Sequence, residues 1–191
     1  MKIVQKKNLK NFSLPLPIYK TIKIGEAVSK DGENFSINVG LNEKLTLQLK
    51  KLSLDKNDIE LQKNTSDFKR FGLGLYKDWY KKERTLLALI HNKTDILAAI
   101  IWFGPKPLHK GCKCHTISWR SCNPFRGKGL MKDFVNFAMD IYKKNLPNDV
   151  KFWVRIKKGN TGSLRLAKNL GFQISEEFSD DVSIVLRDLY I

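Results

Sequence analysis

Two long apolar runs, RTLLALIH and DILAAIIWFG, are separated only by NKT. Each is strand-sized and rich in Leu, Ile and Ala, and three residues leave room for nothing but a tight turn. They therefore read as a hairpin of two central strands. Downstream, CKCHTISWRS alternates and reads as a third strand. In LMKDFVNFAMDIYKK, Leu130, Phe134, Phe137, Ala138 and Ile141 keep the spacing of one helical face, and Pro147 ends that element. VKFWVRIK is a further strand. TGSLRLAKNLGF is a short helix closed by Gly171, a residue suited to the left-handed position just past a helix end. FQISEEF and VSIVLRDLY read as two last, antiparallel strands. The order over 85–191 is β-β-β-α-β-α-β-β, a mixed α/β sheet and not a strict β–α repeat.

Upstream the pattern is thinner. Residues 1–30 are Lys-rich and hold Pro15 and Pro17; apart from a short alternation in IYKTIKIG they read as a basic N-terminal extension, followed by one domain over 31–191. ENFSINVG is a strand ending at a Gly. NEKLTLQLKKLSL fits a helical face with Asn42 as its cap. NTSDFKRFGLGLYKDWYKKE reads as another helix, with Phe71, Tyr76, Trp79 and Tyr80 spaced to pack. A chain of 191 residues that is 42% hydrophobic can bury a core of its own. No apolar run reaches the length of a membrane span, and the basic start MKIVQKKNLKNF has no apolar core behind it. The three cysteines, Cys112, Cys114 and Cys122, are an odd, clustered set and a poor disulfide framework. These features predict a cytoplasmic protein. Cys112, Cys114, His115 and Cys122 are zinc-ligand types, but adjacent residues on a strand point to opposite faces, so no metal site is expected.

The net charge is +16, which suits a polyanionic partner. The cations, however, are scattered, with about four lysines for each arginine, whereas planar two-pronged recognition favours Arg.

Between the third strand and the amphipathic helix lies NPFRGKGLMKDF. A helix start leaves its first amide N–H groups without partners, and its dipole makes that end positive, so anions are held there. Gly127 and Gly129 permit positive φ and close approach of a ligand, and Arg126 and Lys128 add charge. The spacing matches neither GxxxxGK[ST] nor GxGxxG. A second stretch, GNTGSLRLAKNLGF, follows the next strand and sets Asn160 and Ser163 at another helix start.

Together these stretches resemble the GNAT superfamily of acyl-CoA-dependent N-acyltransferases. The pattern Arg/Gln-x-x-Gly-x-Gly/Ala is met by Arg126, Gly127, Lys128, Gly129 and Leu130, with Met131 at its last position. Asn-x-x-Ser followed by an apolar helix ending Leu-Gly-Phe is met by Asn160, Ser163, Leu170, Gly171 and Phe172. The resemblance covers roughly the last 110 residues; the first 80 match loosely. It implies a mixed, mostly antiparallel split sheet flanked by helices, acetyl-CoA as co-substrate, and transfer of acetyl to a primary amine by direct attack. It further implies that the amides of 126–131 hold the cofactor pyrophosphate, that Trp119, Arg120 and Ser121 lie beside the pantetheine arm, and that Asn160 and Ser163 meet the cofactor across the split. An amide near Trp119–Ser121 would polarise the thioester carbonyl.

One departure stands out: Ala167 replaces the Tyr that in the family protonates the leaving thiolate. For acid–base work the sequence offers His115, on the strand before the loop, as the candidate. Glu176, Glu177, Asp180 and Asp181 form an acidic cluster suited either to a cationic acceptor or to a solvated turn. The acceptor itself, small amine or protein, stays open. The alternative reading is an acyl-CoA-binding or RNA- or ribosome-binding module without transferase activity.

Overall fold

In a computed structural model of the chain, which describes residues 1–7, 12–146 and 150–188, nine strands form one sheet in the order β1-β2-β3-β4-β5-β6-β7-β9-β8. The strands are β1 (Lys2–Gln5), β2 (Ile22–Val28), β3 (Asn34–Val39), β4 (Thr85–His91), β5 (Ile96–Pro105), β6 (Cys114–Ser121), β7 (Lys151–Lys157), β8 (Gln173–Ile174) and β9 (Ser183–Arg187). The helices are α1 (Glu43–Leu54), α2 (Ile59–Asn64), α3 (Tyr76–Tyr80), α4 (Met131–Lys144) and α5 (Thr161–Asn169). All strand neighbours are antiparallel except β6 and β7. No helix among the described residues is long and apolar enough to cross a membrane.

β4 and β5 are apolar throughout because both of their faces are covered. Leu87, Leu89, Ala99, Ile101 and Phe103 pack beneath α4 and α5, against Phe134, Ala138 and Ala167. Leu86, Ala88, Ile90, Ile100 and Trp102 face α1, α3 and the segment between them. Asn42 caps α1, its side-chain oxygen accepting the Leu45 amide at 2.9 Å. This leaves α1 free to bury Leu45 and Leu49 on one face.

The first thirty residues differ from the expected extension. They supply β1 and β2, and Leu16, Ile24 and Ala27 are buried in the main core. These strands lie at one end of the sheet and expose Lys2, Lys23 and Glu26 among their apolar residues, with a bulge between Lys23 and Gly25, which hides the pattern. The stretch over 64–83, expected to hold a helix, is instead a π-helical turn, Phe68–Leu73, followed by the five-residue α3. The reason is two glycines. A Cβ on Gly72 would lie 2.9 Å from the Leu54 side chain, and one on Gly74 would lie 2.6 Å from the Arg70 carbonyl oxygen, so the chain approaches itself too closely there for a continuous helix. Its aromatics do pack as expected, Phe71 meeting Trp79 and Trp102 edge-on. Pro147, expected to end α4, lies outside the described residues. Cys112 and Cys114 are disulfide-bonded and Cys122 is free and buried, so the cysteines do not argue for a reducing compartment.

The feature that positions the site is the parallel pair. β6 and β7 hydrogen-bond only over Cys114–Thr116 and Lys151–Trp153. Beyond that they separate, and among the described residues the edge of β6 from Ile117 to Ser121 has no strand partner on the β7 side. This is the split of a split sheet.

Candidate functional site

Two clefts open from the split. The first, of about 610 Å³, is lined by Trp119, Arg120 and Ser121 of β6, by Arg126 to Met131 ahead of α4, and by Asn160 and Ser163 of α5. The fold thus brings all eleven residues singled out for a cofactor around one cavity. Gly127 and Gly129 both have positive φ, 81° and 70°, which explains why glycine stands at each. α4 starts at once behind them with no side-chain cap, so its leading amides and dipole are presented to the cleft.

The loop cations do other work than supplying free charge. Arg126 grips Asp58 with both prongs, Nη1 to Oδ1 at 2.8 Å and Nη2 to Oδ2 at 2.7 Å. Asp58 Oδ1 also accepts the Leu61 amide and so caps α2. The Arg126 guanidinium holds the Asp58 carboxyl below the usual carboxylate range. Lys128 is held by Glu33 at 3.0 Å. The loop is therefore pinned on both sides, to α2 and to β3. Two further cations, Lys132 and Arg165, line the same cleft. Sequence reasoning missed these two, as well as Glu60, Asn64 and Thr65 opposite. The available signal was a basic residue early in each helix facing the split, second in α4 and fifth in α5; nothing in the sequence placed α2 there.

Trp119 and Ser163 bridge the split, the indole Nε1–H donating to the Ser163 hydroxyl oxygen at 3.3 Å. Asn160 caps α5, its side-chain oxygen accepting the Ser163 amide. Ala167 is wholly buried under α5 and faces the core, so this position does not reach either cleft.

The second cleft, of about 440 Å³, lies on the other side of the same gap and shares Asn64, Thr65, Trp119, Asn160 and Ser163 with the first. Arg70, Lys82, Arg84, Lys106, Arg155 and Lys157 line it against a single carboxylate, Asp67. Asp67 is fully buried; burial pushes its pKa up while Arg70 (3.0 Å) and Arg120 (3.4 Å) draw it down. The Arg120 side chain, buried on this face, also donates to Ser53 Oγ at 2.8 Å. Arg120 thus borders the first cleft without offering it a free charge.

His115, the sequence candidate for acid–base work, lines neither cleft. Its Nδ1 is 2.8 Å from the Tyr142 hydroxyl of α4, and burial pushes its pKa down. Strand alternation decides this: Thr116 and Ser118 face the second cleft, while His115 and Ile117 point beneath α4. Of the acidic cluster, Asp180 pairs with Arg155 at 2.6 Å and accepts the amides of Val182 and Ser183, a turn-forming role.

Over residues 51–173 the sequence matches the family model described as acetyltransferase (GNAT) domain. No curated protein matches it. Among solved structures, the GNAT domain of S. lividans PAT superposes with a TM-score of 0.62 at 12% identity, covering 85% of this chain and 94% of that one. The ribosomal-protein-S5-alanine acetyltransferase of Vibrio fischeri gives 0.57 at 12% identity, covering 85% and 96%. The N-acetyltransferase PseH of Campylobacter jejuni, solved with acetyl coenzyme A, gives 0.52 at 14% identity, covering 79% and 96%. At such identities these three likenesses speak for the fold alone.

Proposed function

Since the chain belongs to the GNAT acetyltransferase family, we propose that it transfers acetyl from acetyl-CoA to a primary amine by direct attack, without a covalent enzyme intermediate. The observation that carries this reading is the meeting, in one cleft, of the uncapped start of α4 behind two positive-φ glycines and the strand edge of β6 left open by the split. The first suits a pyrophosphate, which takes amide N–H groups and a positive dipole end. The second suits the pantetheine arm, whose amides would complete the interrupted ladder of β6 as an added strand does.

In this arrangement Gly127 to Lys132 bind the pyrophosphate, with Lys132 and Arg165 supplying charge. Trp119, Arg120 and Ser121 flank the arm with their backbone groups, and an amide of that edge polarises the thioester carbonyl. The amine enters from the second cleft. Its nitrogen attacks the carbonyl carbon, the C–S bond breaks, and the thiolate takes up a proton. Ser163 is the group placed to give it. Its oxygen already accepts from Trp119, which leaves its own O–H to donate, and it borders both clefts. That assignment fits the burial of Ala167 at the position where the family has Tyr.

The test is the melting temperature with and without saturating acetyl-CoA, in the wild type and in Gly129→Trp. A ligand that binds only the folded state raises it. A rise in the wild type that vanishes in the variant is expected. No rise in either protein overturns the reading.

A further inference from the structure

The second cleft carries far more positive charge than the protein neutralises. Asp67 answers Arg70 and Arg120, and Asp180 answers Arg155. Among the described residues no carboxylate pairs with Arg84 or Lys106. Arg84 sits partly buried where the chain enters β4, folded against Gly104 of β5. Its Nε and Nη1 are buried without a hydrogen-bond partner. Those two nitrogens face the protein, so Arg84 meets the cleft that it lines through the rest of its guanidinium, whose charge no carboxylate among the described residues offsets. Lys106 extends its ammonium over the ring of Trp153, 5.3 Å from the centroid, at the same wall. Burial and the neighbouring arginines lower the pKa values of both Arg84 and Lys106, as expected of cations crowded together without an anion.

Accepting the transferase reading above, we propose that the acceptor is a small amine that also carries a phosphate group, and that Arg84 and Lys106, with Lys82 at the rim, bind that phosphate. The charge and the oxygens of a phosphate favour it over a carboxylate, and two further features mark the cleft as a small-molecule site. A phosphate brings between one and two negative charges, and three oxygens that take N–H groups from several cations at once. The cleft volume of about 440 Å³ is that of a small-molecule site. All four tryptophans of the chain, Trp79, Trp102, Trp119 and Trp153, line it and provide apolar surface for the body of the ligand.

The same charge helps the chemistry. A site this positive disfavours the ammonium form of a bound amine, so the nitrogen reaches the thioester neutral without a dedicated base beside it. The step balances as R–NH3⁺ plus acetyl-CoA giving R–NH–CO–CH3, CoA-SH and one proton. The nitrogen releases two protons, one of which ends on sulfur. Polyamines, with several positive charges, are excluded.

The experiment uses the full chain saturated with CoA, so that the first cleft is occupied, and titrates inorganic pyrophosphate while following tryptophan fluorescence. Saturable quenching in the wild type is expected, weakened at least about tenfold in Arg84→Gln and in Lys106→Gln. Lys82→Gln, on an exposed turn, serves as the variant whose folding is not in question, and circular dichroism checks the other two. In parallel, acetyl transfer is compared within the pairs glucosamine 6-phosphate against glucosamine, and phosphoethanolamine against ethanolamine. A preference of at least about tenfold in kcat/KM for the phosphorylated member, collapsing in Arg84→Gln, supports the proposal. Equal rates within both pairs, faster transfer to spermidine, or faster transfer to the N-terminus of an acidic peptide overturns it. Failure of the transferase reading shows separately, as no change of melting temperature with CoA alone. The Arg84 dependence of pyrophosphate quenching then still decides whether the cleft binds phosphate.

Discussion

Arg126 and Asp58 form a two-pronged ion pair, at 2.8 and 2.7 Å, that ties the glycine loop to the start of α2. One carboxylate therefore does two jobs, capping α2 through the Leu61 amide and fixing the wall of the first cleft. The loop can be both glycine-rich and preorganised because its rigidity comes from this pair and from Lys128–Glu33, not from its own backbone.

Asp58→Ala removes a cap and a charged hydrogen-bonded pair together. The pair is partly exposed, so the loss is set at about 2 kcal/mol of stability, with a weakened affinity for acetyl-CoA. Chemical denaturation and a CoA titration check it. The sign with pH follows from the lowered pKa of Asp58. A carboxyl whose folded pKa lies below its ordinary value of 3.8 contributes stability above that value and loses it as pH falls through the folded pKa. The wild type should therefore lose its advantage over Asp58→Ala below about pH 4, and an advantage unchanged at pH 2 would refute the pair's role.

Ser163→Ala removes the hydroxyl placed between the two clefts while leaving the Asn160 cap on the residue-163 amide in place. Loss of a general acid lowers kcat by about 10²-fold. KM for acetyl-CoA should barely move, since the binding groups of the loop are untouched. A variant that changes KM and leaves kcat intact would return Ser163 to a binding role.

How much of this was legible in the sequence depends on where each residue gets its constraint. β4 and β5 are buried on both faces, so their pattern is unbroken and the hairpin reads directly. Gly127 and Gly129 are legible because positive φ is a demand few other residues meet. β2 was not, since it carries Lys23 and Glu26 exposed among its apolar residues. Nor was the Arg126–Asp58 pair, whose members are 68 positions apart and carry no shared local pattern. The face of His115 was illegible for another reason: β6 is half-buried on both sides, so its alternation does not say which side is the cleft. The second cleft draws its cations from four separate segments, and only the fold gathers them.

His115→Gln tests the correction on that residue. Its ring bonds the Tyr142 hydroxyl beneath α4, away from both clefts, so the variant should keep its transfer rate. Stability carries the signal instead. Burial lowers the pKa of His115 from 6.5, so below that value the unfolded chain binds the proton more readily than the folded one. Stability contributed by the neutral ring is thus present at higher pH and declines as pH falls below about 6.5. The melting temperature of the wild type should drop more between pH 7.5 and 5.5 than that of His115→Gln. A loss of kcat in the variant, with stability unchanged, would restore the catalytic assignment.

Asp67 holds the floor of the second cleft together. It is fully buried, and so is the Arg120 side chain beside it, whose Nη1 meets Asp67 and Ser53 while Nε and Nη2 have no hydrogen-bond partner among the described residues. Asp67→Ala leaves Arg120 as an uncompensated buried charge, which costs about 3–5 kcal/mol. In a chain of this size that is a drop in melting temperature on the order of 10 °C. The pair itself is not the source of the loss. Removing both charges, in Asp67→Leu with Arg120→Met, should recover most of the stability, because two apolar side chains of similar bulk need no partner there. If the double variant is as unstable as Asp67→Ala, the ion pair is not what Asp67 contributes. If it recovers stability yet loses the pyrophosphate response of the second cleft, Asp67 matters through Arg70, which it holds at 3.0 Å against the cleft wall.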